Sequence, residues 1–369
     1  MLIYWLVLTW TVFVSLTYKK WFIFKVKEVG GTFKEKPLLL SYLLAFAPLL
    51  FVISMRTQVA DTVNYIEAFN SLTPTFSAAL KIQNKDKLFY QVATLFKMLV
   101  PNVNAWFFFV AFFQVLFICL TVRRYSEMPG VSLFLFVASV EFAYMFNGMR
   151  QFVAVTILFA GYRLLIKKKY FLYILLIILA AQFHGTAYVM LVGLVFSFVK
   201  PWSKTMYVSA LGFTAAMVFL DPILSGLKIF FEDTEYSRQM TELLNSAGVN
   251  VIRVFVAFVP LVLGFVFRKN KALFSRREFA ISFNMSILNA AFFTAASIVG
   301  GNLMARFAEY FTIYQLLTYP SLFKNGVKKG SERTVVVLLF GIFYCVWFWY
   351  QMDVNWEITY ISDVLGWNF

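Results

Sequence analysis

The sequence predicts an all-α, polytopic integral membrane protein of about 12 transmembrane helices with two long outer-face loops, forming one domain over residues 1–369. Three observations predict it. Hydrophobic residues make up 61% and charged residues 14% of the chain, with a mean hydropathy of +0.75, whereas a soluble domain averages about 45–50% apolar and about 25% charged. Apolar runs recur along the chain, and a span needs about 20 residues, so this length holds about a dozen. The cations, 33 Lys and Arg against 18 Asp and Glu, cluster between the apolar runs, which is a topology signal and gives no reason to expect a nucleic-acid partner.

The expected spans begin near Leu2, Pro37, Val103, Val131, Met149, Tyr170, Gly185, Thr205, Val251, Phe279, Phe307 and Thr334. The first is a retained span, because its lysines (Lys19, Lys20, Lys25, Lys27) follow the apolar run, the reverse of a cleavable signal peptide. Alternate loops carry 22 of the 33 cations, and 10 lie on the opposite side. Both termini are therefore expected outside, in a multi-pass protein of the cytoplasmic (inner) membrane. One outer loop, 55–102, contains an acidic and aromatic stretch. It also contains the run from Leu88 to Val100, too short to span and expected to be an interfacial or re-entrant helix. The other, 223–250, is mixed in charge and expected to form a mobile lid or an amphipathic helix. Cys119 and Cys345 lie in apolar runs and imply packing rather than a disulfide.

Ionisable groups inside a membrane cost about 2.5–3.5 kcal/mol each on insertion scales and tend to be paired or functional. Most of those in this chain are expected at one level. Arg150 and Gln151 open the fifth span from outside, after the turn Asn147-Gly148-Met149, and Arg306 and Glu309 open the eleventh. A guanidinium at a helix start, where the dipole also favours anions, suits bidentate phosphate binding. Snorkelling to headgroups is the structural alternative for Arg150, and an ion pair with Glu309, three residues on, is the alternative for Arg306. His184, the single histidine, lies at the same expected depth, with Tyr188 one turn on. One histidine makes no conventional zinc site, and no metal is expected. Asp61 and Tyr65 are four apart and share a face if helical. Glu141, Glu309 and Asp61 are rival proton acceptors. The chain has no phosphate-binding glycine loop, nucleophile elbow, Cys-x-x-Cys or His-Glu-x-x-His. ATP hydrolysis, serine hydrolysis and metalloprotease chemistry therefore lack support, and no cofactor is expected.

In order and spacing these motifs resemble the EpsG-like branch of the Wzy-type polysaccharide polymerases. The resemblance rests on Asp61-Thr62-Val63-Asn64-Tyr65, Asn147-Gly148-Met149-Arg150-Gln151 with Ala154, and the lysine-rich turn that follows. It continues through Ala180-Ala181-Gln182-Phe183-His184-Gly185-Thr186-Ala187 and Arg306-Phe307-Ala308-Glu309-Tyr310-Phe311. Gly185 stands where a small polar residue would be expected. The resemblance implies a membrane glycosyltransferase, inverting and metal-independent, that moves a growing glycan from undecaprenyl diphosphate to a lipid-linked repeat unit at the outer face. Such an enzyme serves exopolysaccharide, capsule or O-antigen synthesis. On that reading Arg150 and Arg306 hold the diphosphate, and His184 either accepts the acceptor proton or orients the diphosphate. Asp61, Tyr65, Asn147, Gln151, Tyr188, Glu309 and Tyr310 contact substrate. The implied partners are an undecaprenyl diphosphate-linked oligosaccharide, membrane lipid, a chain-length co-polymerase and a flippase. An O-antigen ligase-like transferase or a lipid-linked oligosaccharide flippase would also need cationic groups, but a flippase should line its path through both leaflets.

Overall fold

The computed structural model describes residues 2–27, 33–83, 85–228, 249–299 and 302–368. Within them, each expected span start falls within a few residues of a helix start. Five helices are long and apolar enough to cross a membrane: Leu2–Lys20, Val103–Tyr125, Met149–Ile166, Arg277–Ile298 and Ser331–Asn355. Five more apolar helices are shorter, Leu39–Met55, Pro129–Ala138, Tyr170–Ala181, Gly185–Phe196 and Val251–Val266. By length and composition alone, therefore, five of the expected twelve spans qualify as crossings among the described residues.

The shortening has local causes. In the second expected span a 3-10 turn at Leu44–Phe46 interrupts the helix, which restarts with Pro48 in its first turn. There the missing amide hydrogen costs nothing. In the fourth, Val140 adopts a left-handed conformation (φ 69°) after Pro129–Ala138, and the chain continues as a 3-10 turn over Glu141–Met145. The eleventh is divided into Asn302–Thr312 and Gln315–Gly326.

The all-helical expectation needs one amendment, since two small antiparallel hairpins are present, Ile23–Lys27 with Phe33–Pro37 and Ile361–Ser362 with Trp367–Asn368. The stretch from Asp61 to Leu99 forms three short helices, Thr62–Ser71, Phe76–Lys81 and Lys87–Leu99. Most of the 223–250 loop, with its expected lid or amphipathic helix, lies outside the described residues.

The Arg277–Val299 helix is the centre of the bundle, contacting Lys204–Lys228, Val251–Val266, Asn302–Thr312 and Gln315–Gly326. Its polar side chains join it to Asn302–Thr312 and to the end of Gly185–Phe196. Asn284 Nδ2 donates to the carbonyls of Phe196 (2.9 Å) and Val199 (2.7 Å), and Asn289 Nδ2 donates to Thr312 Oγ1 (2.6 Å). Within lipid the apolar driving force between helices is weak, so such bonds fix which faces meet. The Met149–Ala160 helix packs between Val103–Tyr125 and Tyr170–Ala181, and that placement sets the position of the polar residues at its start.

Candidate active site

Gly148, at φ 86°, makes the turn that starts the Met149–Ala160 helix, a conformation that penalises any residue with a Cβ. Arg150 follows in the first turn. Its Nη1 lies 2.9 Å from Asp86 Oδ2 and donates to Tyr90 Oη at 3.2 Å, and the guanidinium sits 5.6 Å from the Tyr90 ring centre. Asp86 precedes the Lys87–Leu99 helix in a left-handed conformation, with its side chain only 8% exposed. The same Oδ2 lies 3.0 Å from His184 Nδ1. A backbone bond from Leu88 N–H to the Gln182 carbonyl (3.1 Å) ties these two segments together beside the side-chain contact. Asp86 thus positions both a cation and the imidazole.

A second arginine cluster forms from three other elements. Arg253, in the first turn of Val251–Val266, donates through Nη2 to Glu309 Oε1 (2.6 Å) and to Tyr144 Oη (2.6 Å). Tyr144 in turn donates to Glu309 Oε1 at 2.5 Å. The guanidinium also lies over Phe293 (4.7 Å) and Trp356 (5.4 Å). The Arg306–Glu309 ion pair, the structural alternative for Arg306, does not form: Glu309 points into the bundle, 1% exposed, where Arg253 meets it, while Arg306 on the same helix is exposed. Among the described residues the Arg306 side chain has no ion-pair partner.

Both clusters border one polar cavity of about 550 Å³. Asp61, Tyr65, Asn147, Arg150, Gln151, His184 and Arg306 all line it, joined by Arg253, Tyr144 and Glu357. Asp61 and Tyr65 reach it from the start of Thr62–Ser71, sharing a face as their spacing requires. Burial pushes the Tyr65 phenol above its ordinary range, with Arg150 opposing, so it presents a proton donor at neutral pH. Gln151 Nε2 donates to the Arg306 carbonyl at 2.6 Å, holding the start of Met149–Ala160 to the middle of Asn302–Thr312. Three sequence-selected residues stay off the cavity wall: Tyr188 is 48% exposed, Glu309 supports Arg253 from behind, and the Tyr310 hydroxyl pairs with Thr186 Oγ1 at 3.0 Å. Glu141 is buried away from the wall as well.

The remaining wall comes from near the C-terminal end. The Ser331–Trp349 helix widens into a π turn over Tyr350–Asn355, and residues 356–359 then border the cavity. They are held by Tyr360 Oη donating to the Val52 carbonyl (3.0 Å) and Thr57 N–H donating to the Ile361 carbonyl (2.9 Å). Below the Asp61 segment, Arg56 is fully buried. Its Nε donates to Thr62 Oγ1 (2.9 Å) and its guanidinium covers the Phe107 ring at 4.3 Å, so it fixes the helix that presents Tyr65.

Sequence reasoning missed Asp86, Arg253, Tyr144, Trp356 and Glu357. Arg253 alone carried a usable signal, an arginine on the expected outer side at the start of an apolar helix, the same signal that selected Arg150 and Arg306.

A family model described as the EpsG family matches residues 39–360. The chain belongs to the EpsG family. That match bears out the resemblance carried by the motifs, and it spans every cavity residue named above. EpsG membership and the apolar helices together mark a membrane protein of polysaccharide biosynthesis. No curated protein and no solved structure matches this EpsG-family chain.

Proposed function

We propose that the chain is a polysaccharide polymerase, transferring a growing glycan from its undecaprenyl diphosphate carrier to a sugar hydroxyl of a lipid-linked repeat unit at the noncytoplasmic face of the cytoplasmic membrane. The observation that carries this reading is the convergence of Arg150, Arg253 and Arg306 with His184 on one cavity. The acceptor oxygen attacks the anomeric carbon, the bond from that carbon to the diphosphate breaks, and the leaving lipid diphosphate takes the bonding pair. Charge therefore builds on the diphosphate, and preorganised guanidinium groups stabilise that build-up. Arg306, unpaired among the described residues, is the group most open to a new anion, while Arg150 is held ready by Asp86.

The acceptor proton needs a base within reach. With His184 Nδ1–H donating to Asp86, the Nε2 lone pair is the accepting site, and His184 lines the cavity whereas Asp86 does not. Asp61 and Glu357, also on the wall, suit sugar hydroxyls as acceptors. Inversion at the anomeric carbon follows from a single displacement. The co-polymerase and flippase implied by the family remain part of this proposal as partners.

The test is reconstitution of purified protein in liposomes with its lipid diphosphate repeat unit, products being resolved by size. A ladder growing by whole repeat units, absent in Arg306→Ala, is expected. Movement of the substrate between leaflets without any ladder would replace this reading with a flippase.

A further inference from the structure

A second, apolar groove of about 710 Å³ is lined by immediate sequence neighbours of the ion-paired cluster. Its wall near the cavity is built from the sequence neighbours of that cluster: Leu88 is two residues past Asp86, Phe183 immediately precedes His184, and Val153 lies one turn beyond Arg150. Phe183 and His184 thus line different cavities from adjacent positions, which sets the Arg150–Asp86–His184 cluster beside both the polar chamber and the apolar groove. From there the groove follows the stripe Val153, Ile157 and Leu164, facing Phe113 and Leu176 on the flanking helices. The eleven steps from Val153 to Leu164 rise about 16 Å, roughly half of a hydrocarbon core of about 30 Å.

We infer that this groove holds the polyisoprenoid tail of the lipid diphosphate, with the diphosphate resting on Arg150 and the sugar in the polar cavity. The inference rests on the proposed function and names the site of the carrier. The consecutive lining residues Phe183 and His184 decide the assignment, since one amphipathic molecule needs a polar and an apolar site close together. The larger apolar groove, lined by Trp5, Phe134 and Gly341, includes no residue of the polar cluster or beside it. A phospholipid from the opposite leaflet is the rival occupant, because Arg163 at the far end of the groove could bind its phosphate.

The probe is a sugar-free polyprenyl diphosphate carrying a diazirine on its tail, photolysed with the protein in liposomes and mapped by peptide mass spectrometry. Adducts are expected on the Val153–Leu164 stripe and near Phe183. Excess unlabelled polyprenyl diphosphate should remove them and excess phosphatidylglycerol should not. Ile157→Trp, which fills the groove, should cut labelling at least tenfold, and Val153→Phe should do the same. Adducts in the other groove, equal displacement by phosphatidylglycerol, or unchanged labelling in both variants would overturn the inference. Wild-type protein that transfers sugar but labels elsewhere loses only the groove. Protein that neither transfers sugar nor is labelled loses the functional reading as well.

Discussion

Replacing Asp86 with asparagine tests the arrangement most directly. One carboxylate oxygen holds both Arg150 (2.9 Å) and His184 (3.0 Å), in a side chain only 8% exposed, so water does not substitute for it. Asparagine keeps one acceptor and loses the charge, so at least one charge-assisted bond, worth about 1.5–3 kcal/mol, disappears. At about 1.36 kcal/mol per decade the rate of sugar transfer should fall about 10- to 150-fold. Asp86→Ala removes both bonds and should fall further. The assay is the initial rate of transfer in liposomes, with kcat and the donor KM determined separately. The loss should fall mainly in kcat, because Asp86 orients the groups that act and does not line the cavity. Asp363→Asn, which alters an exposed contact with Gln58 (3.2 Å), is the control and should be silent. If correctly inserted Asp86→Asn and Asp86→Ala proteins both work within about threefold of wild type, a change of well under 1 kcal/mol, the shared carboxylate has no part in catalysis.

The two other arginines should separate in kind. Arg306→Ala should leave the thermal melting point of the detergent-solubilised protein unchanged while abolishing the product ladder, since its exposed side chain supports nothing described. Arg253→Ala strands Glu309, 1% exposed, and should destabilise the protein by about 3–5 kcal/mol, measurable by denaturant or thermal unfolding and partly relieved by Glu309→Gln. Gly148→Ala forces a Cβ into φ 86° at a cost of about 1–2 kcal/mol, and should lower activity by displacing Arg150. Tyr188→Phe should be silent in the transfer assay because that side chain does not line the cavity.

Much of the site was legible because membrane insertion makes polar residues conspicuous. Arg150, Arg306 and His184 stood out against apolar surroundings, and the Asp61–Tyr65 spacing carried its own geometry. Asp86 did not stand out, since it lies among lysines in Lys85-Asp86-Lys87, a string that reads as an ordinary solvated turn. Only the tertiary approach of that turn to the end of Tyr170–Ala181 gives it a partner. Glu309 was legible as a structural carboxylate but its partner was not, because adjacency along one helix competed with a cation arriving from Val251–Val266. Similarly, hydropathy located the helices but not their breaks, which depend on single backbone conformations such as that of Val140.

The composition of the cavity wall also fixes a parity. Residues near 60, 148, 184, 253, 306 and 357 all border one chamber, so if each reaches it at one face of the bilayer, as the proposed function requires, the chain must return to that side at each visit. On that reading it crosses an even number of times between any two of them, so the shorter Tyr170–Ala181 helix must complete a crossing between residues 148 and 184. This constraint comes from convergence on the chamber and owes nothing to the distribution of lysines. An insertion event that skipped or added a single crossing would therefore do more than reverse part of the protein. It would carry every later contributor to the wrong side and leave the chamber without part of its wall.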